Sequence, residues 1–90
     1  MEAQKRRSVE EILEAIPEKF VSVFEQTVES GSVGGIVNVA QTGEGIQVRI
    51  DAVTLIDEYG TSEDLADVAA IDATTEEDEC VRSYAFELLE

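Results

Sequence analysis

The sequence predicts a small α+β domain: a small antiparallel sheet built on a β-hairpin at about residues 34–51, flanked by two N-terminal helices and one or two C-terminal helices. Three observations carry this prediction. Apolar residues recur at helical spacing between positions 9 and 28. From residue 46 the period drops to two, with Ile46, Val48 and Ile50 alternating with Gln47, Arg49 and Asp51. Helical spacing returns at the end of the chain, behind the acids Glu76 to Glu79. Ninety residues are enough for one domain, read as residues 8–90 behind a basic disordered tail at 1–7.

Ser8 with Glu11 makes a capping box, in which side chain and backbone satisfy each other's orphan groups at a helix start. Val9, Ile12, Leu13 and Ile16 follow as one apolar stripe. Pro17 ends or kinks that helix, and equally suits the first position of the next. The second helix runs to about Glu29, with Phe20, Val21, Phe24 and Val28 on one face and Glu18, Glu25 and Glu29 elsewhere. Gly31 is its candidate left-handed cap. Residues 34–41, with Ile36, Val37 and Val39, read as a strand; residues 42–45 form a glycine-bearing turn, and residues 46–51 are the return strand.

Residues 52–59 suit either a third strand or a helix, and Gly60 ends the segment in both cases. Thr61 to Asp64 resembles a helix cap with acids in the first turn, followed by Leu65, Val68 and Ala69 at helical spacing. Residues 71–73 are open to a short strand. Thr74 and Thr75 lead into a last helix whose buried stripe is Val81, Tyr84, Ala85 and Leu88. A hairpin alone is marginal in water, so the sheet is expected to pack on these helices.

The chain carries 21 acidic and 6 basic residues, for a formal charge of −15, and no histidine. Such a chain lacks the surplus cations needed to neutralise a phosphate backbone or an anionic membrane, so neither nucleic acid nor membrane is expected as a direct partner. The commonest general base and zinc ligand are both missing. A calcium loop through Asp57, Tyr59, Thr61 and Glu63 fails, because its glycine falls at the wrong position. Glu76, Glu77, Asp78 and Glu79 point in four directions from a helix, and read as macrodipole acids rather than a cation site. Cys80 stands beside Asp78 and Glu79, whose charge disfavours a thiolate, and reads as a small, partly buried core residue. No catalytic, cofactor or metal residue is assigned, and the chain reads as a non-enzyme. One cysteine allows no intrachain disulfide, which fits a cytoplasmic protein.

The acids are the feature that needs explaining. From Ser8 onward there are 20 of them against 3 cations, Lys19, Arg49 and Arg82. Glu10/Glu14, Glu14/Glu18, Glu25/Glu29 and Glu63/Asp67 are like-charge pairs at helical spacing, each costing about 0.2–0.5 kcal/mol at low salt. Salt or a basic partner would offset this repulsion. The composition, with two lysines and 11 valines, resembles that of salt-in haloarchaeal proteins. The leading expectation is a small acidic protein acting through a protein partner, with a homodimer left open. The alternative is a phage or viral DNA-mimic inhibitor of a basic nucleic-acid-binding protein, which the chain resembles in size and charge. The surface singled out for interaction is Gln47, Arg49 and Asp51 on the hairpin, with Glu25 and Glu29 on the second helix. Gly35-Ile36-Val37, Thr42-Gly43-Glu44-Gly45 and Gln47-Val48-Arg49-Ile50-Asp51 are similar to the hairpin of sterol-carrier-protein-type domains. That resemblance implies, as a third reading, binding of a lipid or other small ligand. If salt offsets the repulsion, the thermal midpoint by circular dichroism rises between about 0.1 M and about 2 M KCl. An unchanged midpoint would remove the salt-adapted account.

Overall fold

The computed structural model describes residues 8–43 and 45–89. The tail read at 1–7 therefore lies outside the described residues, as does Glu44 in the expected turn. Among the described residues the elements are α1 (Val9–Ala15), α2 (Glu18–Ser30), α3 (Gly34–Thr42), α4 (Ile46–Tyr59), α5 (Ser62–Ala69) and α6 (Glu76–Leu89), with no strand. The expected α+β architecture is thus corrected to all-α. Residues 34–42 and 46–59 are two helices, not the two arms of a hairpin.

Local signals set most helix ends. Ser8 accepts from the Glu11 amide at 3.3 Å, and the Glu11 carboxylate accepts from the Ser8 amide at 3.0 Å. Pro17 keeps Ile16 extended, at ψ 149°, and α1 stops there. This break also removes Glu14/Glu18 from the set of same-helix repulsions. Gly31 caps α2 at φ 79°, a conformation that glycine adopts without penalty. Thr61 and Asp64 form a second capping box at α5. Residues 66–69 are helical within α5, while residues 71–73 belong to no helix or strand.

The core takes fully buried side chains from every helix: Ile12, Phe24, Ile36, Leu55, Val68 and Val81 among them. Its centre is α4, where nine consecutive residues from Val48 to Ile56 are buried. The other helices close around it, with α2, α3, α5 and α6 all packing against α4. A helix enclosed on all sides has no solvent face, so no 3.6-residue polar stripe marks it in the sequence. Its polar residues are bonded internally instead. Thr54 donates to the Ile50 carbonyl at 3.0 Å and shares a 2.8 Å hydrogen bond with the Tyr84 hydroxyl on α6. Gln47, Arg49 and Asp51 therefore alternate with apolar residues without alternating between core and water. Gly45, at φ 89°, turns the chain into α4.

Acids are distributed unevenly over this scaffold. Exposed carboxylates stand on α1, α2, α5 and α6 and near the end of α4, whereas α3 carries no charged residue. No helix among the described residues is long and apolar enough to cross a membrane.

Candidate functional site

Arg49 sits in the first turns of α4 and is only 3% exposed. Its Nε donates to the Ala40 carbonyl at 2.9 Å and its Nη2 to the Gln41 carbonyl at 3.1 Å. Both carbonyls lie at the end of α3, where helical amides run out and acceptors are left over. Its Nη1 meets Glu77 Oε1 and Asp78 Oδ1, each at 2.9 Å. One guanidinium thus ties the C-terminus of α3 to the first turn of α6. The geometry suits both helix dipoles: a cation lies against the negative end of α3, and acids lie at the positive end of α6.

Asp78 is held further by its own helix start. Its Oδ2 accepts from the Thr74 amide at 3.2 Å and the Thr74 hydroxyl at 2.9 Å, while its amide donates to Thr75 Oγ1 at 3.0 Å. Hydrogen bonding from Arg49, then from the Thr74 side chain, lowers the Asp78 carboxyl from 3.8 to about 2. Two of the four acids at 76–79 do meet at one cation, but that cation is an arginine of the chain itself.

The residues singled out from sequence part company here. Arg49 and Asp51 are buried, and Gln47 is half-buried with its Nε2 donating to Asp51 Oδ1 at 3.0 Å. These three are internal to the packing of α4 and present no common surface. The hairpin whose outer side they were expected to form does not exist. Glu25 and Glu29 are exposed on α2, where with Glu18, Val21, Ser22 and Gln26 they line an open depression of about 670 Å³.

A second depression, of about 540 Å³, runs along the outward face of α6. Ile50 of α4 lines it together with Glu76, Glu79, Cys80, Tyr84 and Glu87 of α6. Cys80 is exposed, which corrects its assignment to the core. At 100° per residue it falls away from Val81 and Ala85, the fully buried stripe. Phe86 is 53% exposed about a quarter-turn round α6 from the middle of this face, outside the lining of the depression. Sequence reasoning missed this face, although the spacing Glu76, Glu79, Cys80, Ser83, Glu87 opposite Val81 and Ala85 contains it.

Because Glu77 and Asp78 are turned in to Arg49, the rotation of α6 leaves Glu76, Glu79 and Glu87 facing solvent. Among the described residues no group of three or more cysteine or acidic side chains is placed to hold a metal ion. Compared with protein-family models, curated proteins and solved structures, the chain matches none of them.

The Asp78 interactions give the fold an acid limit. Its folded pKa lies below its ordinary value, so its stabilisation is complete above about pH 4 and is lost as pH falls toward about 2. Asp78→Asn is expected to be less stable than wild type at neutral pH, with the difference shrinking through that window. Urea melts at stepped pH check this; a difference independent of pH would contradict it.

Proposed function

We propose that this chain is a non-catalytic, salt-adapted binding module whose acidic surface takes a basic protein partner. The observation that supports it best is where the cations are. Among the described residues they are Lys19, Arg49 and Arg82, and Arg49 is consumed inside by α3 and α6. The exposed carboxylates of α1, α2, α5 and α6 therefore face solvent with few internal cations to offset them. An acidic field of this kind steers basic partners and rejects acidic ones. A cytoplasmic setting belongs to the same reading, with Cys80 a free thiol.

Mimicry of a DNA duplex is the less favoured reading. It calls for carboxylates in rows along one elongated face, whereas here the exposed ones are spread over five helices. The lipid reading loses its basis with the hairpin, and both depressions described above are open to solvent.

The test is titration with a labelled helical peptide of about 20 residues bearing Lys and Arg on one face, against a copy in which these are Gln. The basic peptide is expected to bind at least about tenfold more tightly at about 0.1 M KCl. Equal binding of the two, or binding of neither, would overturn the proposal.

A further inference from the structure

We draw no further inference here: the strongest candidate, the uncharged outward face of α3 that exposes Gly34, Asn38 and Thr42, is a stripe of small side chains, and nothing in the structure shows what covers it.

Discussion

Arg49 is the constraint on which the arrangement of this domain depends. A guanidinium inside a protein is tolerated only where its donors are met and its charge is balanced. Here the α3 carbonyls of Ala40 and Gln41 take two donors, and Glu77 and Asp78 of α6 supply the opposing charge. The central helix α4 provides the arginine, so three helices are positioned around one group. The apolar contacts of Ile36, Leu55, Ile56 and Val81 supply most of the driving force for burial. They are not directional. The arginine selects which end of α3 meets which end of α6, and Tyr84 on Thr54 repeats the α4–α6 link further along.

This arrangement also explains how much could be read from the sequence. The ends of the helices were legible because they are local: Ser8 with Glu11, Pro17, Gly31, and Thr61 with Asp64 each act within a few residues. The identity of α3 and α4 was not legible. Residues 34–51 are rich in β-branched and glycine residues, and their polar residues fall two apart, which imitates a half-exposed strand. The cause is tertiary. Arg49 and Asp51 are polar because they bond inside the protein, not because they face water. The partners of Arg49 run from Ala40 to Asp78, and no local pattern announces them. The same gap hid the depression on α6, since Cys80 is placed on its outward face only after the buried stripe of α6 is known.

The surface chemistry follows from the interior. By pairing with Glu77 and Asp78, Arg49 offsets two acids at the start of α6, while Glu76, Glu79 and Glu87 face outward. Elsewhere Glu11 and Asp64 cap helices and Asp51 is buried, while the exposed acids add to a collective negative field that favours solvation. Screening by salt would weaken this field. What changes with salt is the reach of its surface.

The central claim is that one buried arginine orders three helices, and thermal unfolding of Arg49→Met tests it most directly. Methionine fills much of the same volume but leaves the α3 carbonyls and the Asp78 carboxylate without their donor. The account predicts a loss of about 2–4 kcal/mol, which for a domain of this size lowers the midpoint by at least about 8 °C. A variant that melts at the wild-type temperature would show that the apolar core alone sets the arrangement, and would contradict it.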